Sequence, residues 1–309
     1  MNRRQLIGSL SSAAIFAGCV SAEATTPVDV PAGKPPLPPA VPPQVAGQPF
    51  PLDLKGATAQ GGMLVGRTVP KAQVILGDVT VWADARGQFV VGFDHGAQPQ
   101  ALLRVIAPSG KFIDRNLSIA PRTYDQTVVN GLPQETVTPP PEVLARIKAE
   151  SARKAVGFAS VAPGEGFTQS FIWPVAGRIS SRWGAQRVLN GVLGRPHYGV
   201  DIAAPEGSMV VAPADGVIVL AETDLFYEGG LLMIDHGQGL ITLYLHLSKL
   251  DVTLGQSVKQ GQAIGRVGKK GRATGAHLCW RMKWRGQNLD PSLAVTAFGG
   301  PAAPQSLTP

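Results

Sequence analysis

From Leu52 to Ala120 the apolar residues come in runs too short for helices: GGMLVG, AQVIL, VTVWAD, GQFVVGF, ALLRVIA and KFIDRNLSI. Turn signals such as Asp84-Ala85-Arg86-Gly87 and Pro108-Ser109-Gly110 separate them. Extended strands of this length cannot bury a face alone, so the pattern predicts a small β-sandwich, immunoglobulin-like, over residues 52–122. Composition agrees with a mostly β, turn-rich chain: 37 glycines and 27 prolines among 309 residues. That length suffices for two modest domains. The sandwich region holds one histidine, His95, expected to be solvated and without catalytic partners.

The flanks read differently. Ten prolines between Pro27 and Pro51 make residues 25–51 a stiff linker with little to pack. The stretch PPEVLARIKAESARKAV predicts a helix over 140–156, opened by prolines and stopped by Gly157. It lies in a helical linker spanning 123–169. A second β domain is expected over 170–296, with 297–309 as a disordered tail.

Residues 1–24 carry Arg3-Arg4, an apolar stretch and small residues, the layout of an export signal. Phe16-Ala17-Gly18-Cys19 is similar to a bacterial lipobox, so Cys19 is the expected lipidation site and the chain a membrane-anchored lipoprotein of the periplasm. Ala22 and Ala24 offer a second cleavage pattern that would release a soluble periplasmic protein, and the arginine pair fits a plain Sec or a twin-arginine leader. A net charge of +7 favours anionic surroundings such as wall polymer or headgroups. No basic patch alternates with aromatics, which argues against nucleic acid as a partner. Nothing in the sequence sets the oligomeric state.

Four of the five histidines fall after residue 190. His197 and Asp201 in HYGVD sit four apart on extended chain and share a face. Tyr244 and His246 alternate within TLYLHL and are expected on one face. His277 and Cys279 in GAHLCW do the same. His236, between Asp235 and Gly237 at a turn, reads as structural.

HYGVD, YLHLS and TGAHLCW, with SSRWG before them and GQSVKQGQAIGRVG between, resemble the signature segments of the lysostaphin-like, LytM-type zinc metallopeptidases, a murein endopeptidase family. The resemblance covers about residues 171–293 and implies an antiparallel β fold of duplicated hybrid-motif type. It also implies one Zn²⁺ per chain bound by His197, Asp201 and the residue at 279, with His246 and His277 assisting catalysis. The family has histidine where this chain has Cys279. Thiolate is a good zinc ligand, so the metal is expected to remain. Its extra negative charge predicts a slower enzyme or a more alkaline optimum.

The implied reaction is hydrolysis of peptidoglycan stem-peptide cross-links, with Arg182, Tyr198 and Tyr244 as candidate substrate contacts and Lys269, Lys270 and Arg272 as cations for substrate carboxylates. No H-E-x-x-H helix supplies a glutamate base. Two other readings stand beside it: a catalytically weak or inactive murein-binding regulator of wall hydrolases, and a carrier domain with Lys283 as the modified residue.

Overall fold

The computed structural model describes residues 50–300. The expected export signal, Cys19 and nearly all of the proline-rich linker lie outside the described residues. No helix among those described is long and apolar enough to cross a membrane.

The first part has seven strands: β1 (Asp53–Gly56), β2 (Met63–Arg67), β3 (Gln73–Leu76), β4 (Val79–Trp82), β5 (Gln88–Gly92), β6 (Gln100–Ile106) and β7 (Phe112–Ser118). They form two antiparallel sheets, β1-β2-β5 and β4-β3-β6-β7. The strands bury Leu64, Phe89, Val91, Val74, Leu103, Val105 and Leu117, each worth roughly 1.5–3 kcal/mol of burial.

The segment expected as a helical linker contains β8 (Gln126–Val129), α1 (Gln134–Val137) and α2 (Pro141–Phe158). Helix α2 runs through Gly157 instead of stopping there. A Cβ at Gly157 would stand 2.9 Å from Met233 Sδ, so this glycine permits close approach to the sheet below. Arg146–Asp224, Arg153–Glu222 and Lys154–Glu228 ion pairs hold α2 against that sheet.

The last part comprises β9 (Arg178–Ser181), β10 (Gln186–Leu189), β11 (Val192–Leu193), β12 (Val200–Ala203), β13 (Met209–Val211), β14 (Gly216–Leu225) and β15 (Gly229–Asp235). It continues with β16 (Leu240–Leu247), β17 (Lys249–Leu250), β18 (Ser257–Val258), β19 (Ala263–Arg266), β20 (His277–Trp284), β21 (Gln287–Leu289) and α3 (Pro291–Thr296). The main sheet has the order β18-β14-β15-β16-β20-β12-β9, with β21 on β20. Strand β8 pairs in parallel with β10, so the preceding segment supplies a strand to this part.

One continuous apolar core joins the first and last parts. A Cβ on Gly92 would meet Leu289, and one on Gly61 would strike the Trp183 ring. Asp94 accepts from the Asn288 backbone N–H at 2.6 Å, and Arg122 pairs with buried Asp290 at 2.9 Å. His95 is not solvated alone: it stacks on Tyr124 at 4.1 Å beside Trp183 and Tyr198. The expected tail also begins later than residue 297, because Phe298 is buried and its carbonyl accepts from Ser170 Oγ.

Candidate metal centre

Strands β12, β20 and β16 lie side by side, and their register sets Asp201 opposite Cys279 and Cys279 opposite Leu245. Period-two alternation then places His277 on the face of Cys279, with Leu278 and Trp280 turned into the main core. His197 reaches the same point from the loop before β12. Its Nε2 lies 3.3 Å from Cys279 Sγ and 3.2 Å from Asp201 Oδ1, and its Nδ1 is 3.3 Å from Ser181 Oγ.

His246 arrives by a break in the pattern. On β16, Leu245 and His246 together oppose the single residue Leu231 of β15, and His246 has φ of 66°. This bulge turns the imidazole toward His277, with ring centroids 4.7 Å apart. The expectation that Tyr244 shares its face with His246 is therefore corrected. Tyr244 is fully buried on the opposite side, its hydroxyl 2.7 Å from Thr242 Oγ1, and it cannot meet substrate.

The donor set fits a zinc ion. His197, Asp201 and Cys279 each offer one ligand atom, all within 4.8 Å of one another, and all three residues are buried. Asp201 Oδ2 accepts from Arg187 Nη2, but buried Oδ1 has only the Nε2 atoms of His197 and His277 nearby, at 3.2 and 3.8 Å, and neither makes a well-aligned hydrogen bond to it. A buried acceptor without a well-aligned donor is costly, and a cation supplies what it lacks. Nitrogen, carboxylate oxygen and sulfur are zinc's usual donors, and bonds of about 2.0–2.3 Å need tetrahedral edges close to the two short separations seen here.

Electrostatics follow from burial. His197 is pushed down to about 4 by burial, against Asp201. His246 is pushed down to about 3, again by burial and then by His277. Burial also works against the Asp201 charge, but His197 and Arg187 outweigh it and hold that carboxyl well below the usual range. Burial pushes the Cys279 thiol up to about 12 against the pull of Arg281. A coordinated zinc overcomes such a shift because it removes a thiol proton outright. Arg281 Nε donates to Cys279 Sγ at 3.4 Å. Each anionic ligand therefore has its own arginine, and the negative excess that predicts a slower enzyme is partly offset.

His246 Nδ1 lies 2.8 Å from the Lys270 carbonyl and His277 Nδ1 lies 2.8 Å from the Gly275 carbonyl. A carbonyl only accepts, so both rings carry a proton on Nδ1, and His246, pushed down to about 3, keeps its Nε2 lone pair. Neutral Nε2 atoms are what proton transfer requires.

The other candidates are scattered. Tyr198 is half-buried and lines a cavity beside His197. Arg182 is exposed and lines neither cavity of this region. Lys269 pairs with Glu206, and Lys270 is exposed and contributes its carbonyl to His246. His236 is fully buried, bonded to the Asp215 carbonyl and Thr242. Lys283 lies within β20 with its ammonium over Phe158, unlike a carrier lysine at an exposed turn. Sequence reading missed Arg281, which alternation places beside Cys279. It also missed Arg187 and Ser181, whose roles depend on pairing between distant segments.

Gly199 shapes the centre. A Cβ there would stand 2.8 Å from Arg281 Cγ, 3.0 Å from Cys279 Sγ and 3.2 Å from His197 Nε2. Gly199→Ala is expected to keep the fold and lower zinc affinity roughly tenfold or more. Competition with a chromogenic chelator measures this, and unchanged affinity would contradict the placement of the donors.

Comparison with known proteins places the chain in a family. Residues 195–291 match the family model described as Peptidase family M23. A crystal structure of a peptidase M23 from Pseudomonas aeruginosa superposes with a TM-score of 0.61 at 30% identity, covering 78% of this chain and 96% of that one. The chain belongs to peptidase family M23. The peptidoglycan DD-endopeptidase ShyA of Vibrio cholerae is 44% identical over 115 residues, 37% of this chain and 26% of that protein. The cell division protein DipM of Caulobacter vibrioides is 32% identical over 165 residues, 52% of this chain and 26% of that protein. The chain thus spans about a quarter of the length of these curated relatives.

Proposed function

We propose that the protein is a zinc-dependent endopeptidase that hydrolyses peptidoglycan stem-peptide cross-links outside the cytoplasm. The observation that carries this reading is the convergence of three buried zinc-type donors with two histidines whose Nδ1 atoms are anchored to backbone carbonyls. His197, Asp201 and Cys279 would hold the metal. Zinc there supplies Lewis acidity toward a peptide carbonyl. Ser181 orients His197, and Arg187 fixes the Asp201 carboxylate. His246 and His277 take and return protons at Nε2 as water adds and the amine leaves. The retained donor set supports cutting over the non-cleaving regulator.

The finer assignment rests on sequence: export by residues 1–24, lipidation at Cys19, a proline-rich tether over 25–51 and an immunoglobulin-like sandwich over 52–122. The expected substrate bond joins D-alanine to diaminopimelate.

Full-length protein incubated with purified peptidoglycan is expected to release uncross-linked muropeptides, resolved by mass spectrometry. Release should stop with a zinc chelator and return with zinc. Intact cross-links under zinc-replete conditions would refute the proposal. Metabolic labelling with a fatty acid should mark wild type and not Cys19→Ser; equal labelling would remove the anchor from it.

A further inference from the structure

A cavity of about 730 Å³ adjoins the donor cluster, and His197 is among its walls. Residues of the preceding segment form one wall, including Val137, Ile147 and Phe158, and the β10–β11 hairpin forms another through Leu193. Its charged lining is of one sign: Arg187, Arg195, Arg272, Arg281 and Lys283, with no aspartate or glutamate. Arg187 is committed to Asp201, and Arg281 to the Cys279 sulfur. Among the described residues, Arg195, Arg272 and Lys283 have no carboxylate within ion-pair distance.

Two of these cations are held in place. Arg272 stacks over Tyr227 at 4.8 Å and donates to the Thr136 carbonyl at 3.2 Å. Lys283 sits over Phe158 at 5.0 Å and donates to the Gly286 carbonyl at 3.4 Å. Both are half-buried. Withdrawing unpaired cations from water is unfavourable, and fixing them in a concave wall adds to that cost. An anionic ligand offsets both terms, and a guanidinium fork with an ammonium suits carboxylate.

We propose that this cavity is a carboxylate-binding subsite in which Arg195, Arg272 and Lys283 receive free carboxylates of the peptide substrate beside the scissile bond. The proposal rests on the endopeptidase reading for the identity of the peptide. It gives the segment 134–158 a part in recognition, as a wall of the subsite.

The test uses the full chain and an uncross-linked stem tetrapeptide with its carboxylates free, beside the same peptide amidated. Titration calorimetry is expected to show the free acid binding about tenfold tighter or more, an advantage that shrinks as salt rises. The advantage should disappear in Arg195→Gln/Lys283→Gln and fall in Arg195→Gln alone, with the fold checked by circular dichroism. Equal affinity of the two peptides for wild type would overturn the proposal. So would an undiminished preference in the folded double variant, or tighter binding of inorganic phosphate than of the tetrapeptide. Neither peptide contains a cross-link, so this result is independent of turnover. A preference without cleavage of a cross-linked peptide, assayed in parallel, refutes the endopeptidase reading alone.

Discussion

Cys279→Ser in the full chain is expected to purify with less than about a tenth of the wild-type zinc and to lose activity by roughly a thousandfold. Serine keeps the small size, but its hydroxyl is a far weaker zinc donor than thiolate, and it leaves Arg281 without its sulfur partner. Cys279→His restores a good donor but not the negative charge that Arg281 faces. It should therefore recover zinc only in part, and Arg281→Gln added to it should recover more. The cycle built from Cys279→His and Arg281→Gln is expected to show about 1–3 kcal/mol of coupling in zinc affinity. Additive effects would mean that the arginine and the ligand position act independently. The same variants address rate: with Arg187 and Arg281 offsetting the two anions, the acid shift of the pH–rate profile in Cys279→His should be smaller than charge counting on the ligands alone predicts.

Arg122→Ala should destabilise the protein by about 3 kcal/mol, since it removes the cation from a carboxylate that is almost wholly buried. Asp290 keeps its Oδ1 bonds to Ser292 N and Oγ at the start of α3, so the loss falls on Oδ2 and is not the full cost of an isolated charge. At this chain size the change corresponds to a fall in melting temperature on the order of 10 °C. Scanning calorimetry checks it. A change below about 2 °C would mean that the Arg122 contact adds nothing to the junction between the sandwich and the last part.

Much of the centre was legible because alternation along a strand is local. His277, Cys279 and, by the same rule, Arg281 fall on one face of β20 from sequence alone. The bulge at His246 was not legible: nothing in TLYLHL says that two residues will oppose one on β15, and strict alternation gave Tyr244 the wrong side. Arg187 escaped for another reason. Its partner Asp201 is fourteen residues away across a hairpin, and the position of β10 depends on pairing with β8 from the preceding segment. The helix over 141–158 was visible through the prolines at its start. Its end was misplaced because Gly157 is required by packing against Met233, a contact from another element.

The shared core bears on how such chains can change over generations. Gly61 fits only beneath Trp183, Gly92 only beside Leu289, and Asp94 serves the Asn288 backbone. Recombination that exchanged the sandwich for another would leave those three positions facing strangers. Exchanging the first part for another is therefore expected to cost stability unless the contacts made by Gly61, Gly92 and Asp94 are rebuilt.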